Sequence, residues 1–115
     1  MGPVLVLGDQ EKEGVADAVE EYRGRLANEF GIAAIDLEGT VDVQSVKAEW
    51  ALVFGGDGAI LSAARRMAGH PIPTLSVNFG RFGFLTEIEF KQLPKALDRI
   101  KAGRTRITKR MRLIA

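Results

Sequence analysis

The chain is 115 residues long, 46% hydrophobic and 27% charged, the balance of one globular domain able to bury a core without covalent staples. With no cysteine it can have no disulfide scaffold, thiol nucleophile or zinc–thiolate site, and one histidine, His70, excludes a histidine-rich metal centre. No apolar run approaches the roughly 20 residues of a membrane span and the first residues lack a signal peptide's basic segment, so a cytoplasmic protein with no membrane partner is expected.

The net charge of +1 conceals an asymmetry. Residues 1–57 carry 4 Lys/Arg against 12 Asp/Glu, whereas residues 58–115 carry 12 against 3. Acidic helix faces falling early and basic ones late would produce this, and so would anionic ligands lying over the second half. Nucleic acid is not an expected partner, because a pI of about 8.1 is modest for such a domain.

In chain order, Val4 to Leu7 is a continuous apolar run, the pattern of a strand buried on both faces of a parallel sheet. Val15, Val19, Tyr22, Leu26 and Phe30 then mark one face of a helix stopped by Gly31. Ile32 to Leu37 reads as a second strand, followed by a loop with Gly39 and a short helical turn near Val43 to Val46. Ala51 to Phe54 is a third strand, with Trp50 as boundary packing before it. Ile60, Leu61, Ala64, Met67 and Ala68 trace the next helix, ended by Gly69; His70, beside Pro71, is a loop residue. Thr74 to Asn78 is a fourth strand, and Leu93, Leu97 and Ile100 mark a last helix stopping at Gly103. Strands alternating with helices argue a parallel α/β sheet of about four strands over residues 1–103. Residues 104–115 are extended and basic, the expected start of a second, β-rich domain that this chain does not contain.

Two glycine-rich stretches follow strands, where ligands bind in such sheets. In the first, Gly55-Gly56-Asp57-Gly58 leads straight into a helix whose free N–H groups and positive dipole end suit a phosphate. Glycines there allow a phosphate close to the backbone, which a Cβ would block. No Lys-Ser/Thr follows, so this is not a Walker loop, and Leu61 stands where a dinucleotide fingerprint needs its third glycine. An aspartate among phosphate-binding amides repels phosphate unless it has a role of its own, either holding Mg²⁺ or accepting the proton of an attacking hydroxyl. A tight turn with a solvated Asp is the plainer alternative. In the second stretch, Asn78 to Thr86, Asn78 offers a donor and an acceptor, and Phe84 suits an adenine or ribose pocket. Core phenylalanines and ordinary turn glycines would read the same way.

Together these stretches resemble NAD kinase: Gly55-Gly56-Asp57-Gly58 before an apolar helix, then Pro73-Thr74-Leu75-Ser76-Val77-Asn78, Gly80 and Gly83-Phe84-Leu85-Thr86. The glycine–aspartate motif alone is shared with diacylglycerol-type lipid kinases; the asparagine and Gly-Phe-Leu block at this distance favours NAD kinase. The resemblance implies a three-layer, Rossmann-like or flavodoxin-like amino-terminal domain. It further implies phosphoryl transfer from ATP or polyphosphate to the adenosine-ribose 2′-hydroxyl of NAD, with a divalent metal such as Mg²⁺, in a homo-oligomer. Asp57 would be the proton acceptor; Gly55, Gly56, Asp57 and Gly58 would touch nucleotide, with Asn78 and Phe84 beside NAD. No residue is assigned as a protein metal ligand. The sequence departs from the family at Ala59 (usually Thr), Ser76 (usually Gly) and Ser62, where some members carry a basic contact. Most NAD contacts in the family come from the second domain, so these 115 residues alone are expected to be inactive. A diacylglycerol-type lipid kinase and a non-catalytic nucleotide-binding module are the competing readings.

Overall fold

The computed structural model describes residues 2–69, 72–78 and 88–102. Its elements are β1 (Val4–Gly8), α1 (Val15–Glu29), β2 (Ile32–Asp36), β3 (Trp50–Gly55), α2 (Asp57–Arg66), β4 (Thr74–Asn78), β5 (Ile88–Glu89) and α3 (Leu93–Lys101). Short 3-10 turns occupy Val43–Ser45 and Phe90–Gln92. The five strands form one parallel sheet in the order β2-β1-β3-β4-β5.

The period of two along each strand divides the core into two layers. Val4 and Val6 of β1, with Trp50, Leu52 and Phe54 of β3, face the layer that holds α1 and α3. Leu5 and Leu7, with Ala51 and Val53, face α2. Strands covered on both sides show no polar alternation, which is why β1 and β3 read as unbroken apolar runs. The parallel α/β sheet expected from the alternation, and the three layers that the resemblance implies, are found.

The helices follow from their buried stripes. Val15, Ala18, Val19, Tyr22 and Leu26 bury one face of α1, and Leu93, Leu97 and Ile100 bury one face of α3. Full burial of each such aliphatic side chain contributes roughly 1.5–3 kcal/mol. Helix α1 ends where predicted: Phe30 and Gly31 both donate backbone N–H groups to the Leu26 carbonyl, at 3.0 and 2.9 Å, and Gly31 takes a φ of 88°. Arg25 ties the two helices together, with Nε donating to both Glu29 carboxylate oxygens at 3.1 Å and Nη2 donating to Asp98. Burial opposes its charge, but these two carboxylates outweigh it and raise the Arg25 pKa.

Three expectations shift. Trp50 is the first residue of β3 rather than a residue before it, and it is core: fully buried, 5.2 Å from the Phe30 ring edge-to-face, with Nε1 donating to the Gly2 carbonyl at 3.0 Å. The buried stripe is Ile60 and Ala63 of α2 with Met67 just after it, while Leu61 is 45% exposed and Ala64 and Ala68 lie outside the core. The sequence there offers apolar residues on two overlapping arcs, and only the sheet selects one. The fifth strand, β5, is two residues long, too short to show any periodicity. The expected second-domain start at 104–115, like His70 and the stretch 79–87, lies outside the described residues.

Ser76, in the middle of β4, is 1% exposed, and its hydroxyl has no hydrogen-bond partner among the described residues. A buried, unpaired hydroxyl carries its desolvation cost without compensation. Ser76→Ala is therefore expected to stabilise the domain by about 1 kcal/mol, read as an increase in the denaturant midpoint with unchanged m-value. A lower midpoint would show that the hydroxyl is satisfied.

Candidate functional site

The sheet order sets the position of the crevice. From β1 the chain leaves to one side, through α1 to β2; from β3 it leaves to the other, through α2 to β4. Because α1 and α2 lie on opposite faces, the two connections diverge and open a gap at the carboxyl ends of β1 and β3. The register Gly8↔Phe54 places both strand ends at one level.

Gly55 closes β3 and Gly56 caps α2. Gly55 takes a φ of 152°, and a Cβ on it would lie 2.7 Å from the Ala59 Cβ, so its glycine is required by the turn itself. Gly58 is different. It sits in the first turn of α2 with helical backbone, and a Cβ there would meet nothing within 4 Å. Neither strain nor packing within the described residues demands a glycine at that point. Asp57 is the first residue of α2, so its N–H and that of Gly58 belong to the helix-end donors that lack an intrahelical acceptor. The Gly56 carbonyl already accepts from Ala59 and Ile60, at 3.1 and 3.2 Å. The result is a turn with free amides, a positive dipole end and open space beside it.

Asn78, 23 positions from Gly55, is its register partner across the β3–β4 pair. Parallel pairing thus brings the two sequence stretches together at the carboxyl edge of the sheet. Phe84 lies outside the described residues. Ala59, where the resembled family usually has Thr, packs its Cβ against Gly55.

A cleft of about 210 Å³ opens on the β1 side of the turn. Its walls include Gly8 at the end of β1 and Asp9 after it, Leu37 to Gly39 after β2, and Gly58, Ser62 and Arg66 along α2. Gly8 lets these walls approach: a Cβ there would lie 2.7 Å from the Phe54 carbonyl oxygen and 3.1 Å from Val15.

The wall after β2 is held by a residue the sequence analysis did not single out. Asp36 is 3% exposed, and its Oδ1 accepts from the N–H groups of Glu38, Gly39 and Thr40 at 3.1, 2.8 and 3.2 Å. Its Oδ2 accepts from the Val41 N–H at 2.9 Å and from the Arg66 guanidinium, which also donates to the Val41 carbonyl at 2.8 Å. Burial alone would raise the Asp36 pKa; the Val41 N–H, the Arg66 guanidinium and the Gly39 and Thr40 N–H groups outweigh it. They hold the carboxyl far below the usual carboxylate range. The pair therefore locks the 37–41 loop to the last turn of α2. An aspartate three residues before Gly39 was the available signal, since Asp side chains cap turns of this kind.

Among the described residues no group of three His, Cys, Asp or Glu side chains gathers to hold a metal ion. Mg²⁺ is commonly held by one or two carboxylates together with substrate phosphates, so a cage of protein ligands is not what the implied ion requires. No helix among the described residues is long and apolar enough to cross a membrane.

The fold and crevice define the class: a doubly wound α/β domain with a glycine turn and a helix start at its switch point. Residues 8–105 match the family model described as the ATP-NAD kinase N-terminal domain, and the chain belongs to that family. It is similar to an NAD kinase of Geobacter metallireducens, 35% identical over 105 residues, which cover 91% of this chain and 35% of the relative. An NAD kinase of Heliobacterium modesticaldum is 55% identical over 64 residues, covering 56% of this chain and 23% of the relative. The fold is also that of yeast NADH kinase, solved in complex with NADH, with a TM-score of 0.75 and 17% identity over 90% of this chain and 37% of the yeast one. The chain thus spans between about a quarter and a third of the length of these relatives.

Two outcomes test the site. Asp36→Asn is expected to cost about 2–4 kcal/mol at neutral pH, because it leaves Arg66 without its buried partner. A depressed folded-state pKa stabilises above the ordinary carboxylate value near 3.9, and that contribution fades as pH falls below it. The stability gap between wild type and Asp36→Asn should therefore narrow steadily from about pH 5 to pH 2 in circular-dichroism titrations. Gly58→Ala should raise thermal stability by about 0.5–1 kcal/mol, since the site is helical and open. It should also weaken nucleotide binding in calorimetric titration of the complete protein. Unchanged affinity would mean that no ligand uses the space.

Proposed function

We propose that this chain forms one wall of an NAD kinase active site, within a longer two-domain enzyme. That enzyme transfers a phosphoryl group from ATP or polyphosphate to the 2′-hydroxyl of the adenosine ribose of NAD, giving NADP. The observation that carries the reading is the Gly55–Gly58 turn at the β1/β3 switch point, in register with Asn78, within a chain that matches the family over residues 8–105. The homologues named NAD kinase and the yeast NADH kinase fold support the same acceptor class. A soluble, cytoplasmic homo-oligomer is the accompanying proposal; the absence of any membrane-crossing helix among the described residues is compatible with it.

The chemistry required of the site is positioning and charge. In phosphoryl transfer the catalyst aligns the attacking and leaving oxygens and stabilises the charge on the transferred group. The free N–H groups at the start of α2 meet that charge, and the glycines admit it to the backbone. Asp57 is assigned as the acceptor of the 2′-hydroxyl proton as its oxygen attacks phosphorus. Gly55, Gly56 and Gly58 are assigned to the phosphates, and Asn78 and Phe84 to NAD. Lipid kinases share the glycine–aspartate chemistry, but the family match favours the dinucleotide.

Asp57→Asn in the complete protein is the direct test. Loss of a general base typically lowers the rate by about 10²- to 10⁴-fold, and the melting curve should stay in place. Steady-state rates close to wild type would remove Asp57 from the catalytic role.

A further inference from the structure

The loop between β1 and α1 carries a cation that the proposed chemistry leaves unused. Of the four Lys/Arg side chains in residues 1–57, Arg25 is bound to Glu29 and Asp98, Arg23 lies 3.7 Å from Glu20, and Lys47, after the 43–45 turn, forms no ion pair among the described residues. Lys12 pairs with no described carboxylate, although Asp9, Glu11 and Glu13 are its sequence neighbours. Its ammonium is instead directed at the glycine turn: a Cβ on Gly56 would lie 3.9 Å from Lys12 Nζ.

The loop's backbone fixes this approach. The Lys12 N–H donates to the Asp9 carbonyl at 3.0 Å, and the Lys12 carbonyl accepts from the Val15 N–H at 3.2 Å. Asp9 Oδ1 accepts from the Glu11 N–H at 2.9 Å, and Gly14 enters α1 with a φ of 88°. The side chain thus leaves a braced loop while remaining exposed. A lysine ammonium is a compact point charge on a flexible stem, able to follow a phosphate chain.

Sheet order gives the two sides of the turn different neighbours. Asn78 stands on the β4 side of Gly55, while the Lys12 loop and the 210 Å³ cleft stand on the β1 side. If the acceptor nucleotide lies with Asn78, the phosphoryl donor must approach the turn from the opposite side, in line with the attack. We infer that Lys12 is a donor-binding residue, its ammonium contacting the phosphoanhydride oxygens of the donor over Gly56. This rests on the proposal that the Gly55–Gly58 turn receives those phosphates.

The test uses the complete two-domain protein as wild type, Lys12→Ala and Lys12→Arg. Losing a charged hydrogen-bond donor to phosphate should weaken binding by about tenfold or more. Lys12→Ala should therefore raise KM for ATP by that factor while leaving KM for NAD near wild type, and Lys12→Arg should restore most of the loss. Calorimetric titration with inorganic tripolyphosphate, with no acceptor present, should show the same order of affinities. A Lys12→Ala variant with unchanged ATP and tripolyphosphate affinity would overturn the inference, as would a parallel rise in KM for NAD. The two proposals separate cleanly. A wild-type protein that binds tripolyphosphate through Lys12 but phosphorylates no NAD keeps this inference and defeats the proposed acceptor. An active NAD kinase indifferent to Lys12→Ala does the reverse.

Discussion

The parallel pairing of β1 with β3, from Val4↔Trp50 to Gly8↔Phe54, is the constraint on which the site depends. Both strands are buried on both faces, so their alternating side chains must satisfy α1 and α3 on one side and α2 on the other. A register slip of one residue would send Trp50 and Phe54 into the α2 layer, where Ala51 and Val53 now fit. With the register set, the ends of the two strands meet at one level, and the connections that leave them in opposite directions open the crevice. Gly8 allows the approach, because any side chain there would collide with the Phe54 carbonyl.

Two devices keep that crevice open and shaped. The first is the glycine turn, in which Gly55 meets a backbone need and Gly58 meets none that the described residues impose. A glycine in an open helical first turn lowers stability relative to alanine, a cost that makes sense where a ligand takes the space. The second is the Asp36–Arg66 pair, which links the loop after β2 to the end of α2 with the carboxylate buried and saturated by backbone N–H groups. Breaking one side of such a pair leaves an uncompensated charge, so it fixes geometry more than it adds net stability. The pair thus ties the two cleft walls to each other.

The charge asymmetry of the sequence takes on a local meaning in the structure. Among the four cations of the acidic first half, Arg25 and Arg23 are engaged along α1, and Lys12 overhangs the glycine turn. Arg66, from the basic second half, is held by Asp36 rather than offered to a ligand. Counting charges along the chain cannot distinguish these uses. Positions across the crevice can.

What the sequence determined by itself was local. The strands β1 to β4, the stop of α1 at Gly31, the stripe of α3 and the glycine turn before α2 all follow from runs, periods and turn residues within a few positions. These depend on sterics and on burial patterns that a short window contains. Tertiary structure alone decided the rest. It chose Ile60, Ala63 and Met67 over Leu61 as the buried face of α2, because only the sheet's position selects between overlapping arcs. It made Trp50 core, added the two-residue β5, and set Asn78 against Gly55. It also joined Asp36 to Arg66, 30 residues away, and carried Lys12 to Gly56. Such contacts join residues distant in the chain, and their chemistry appears only when parallel strands bring the loops to one edge.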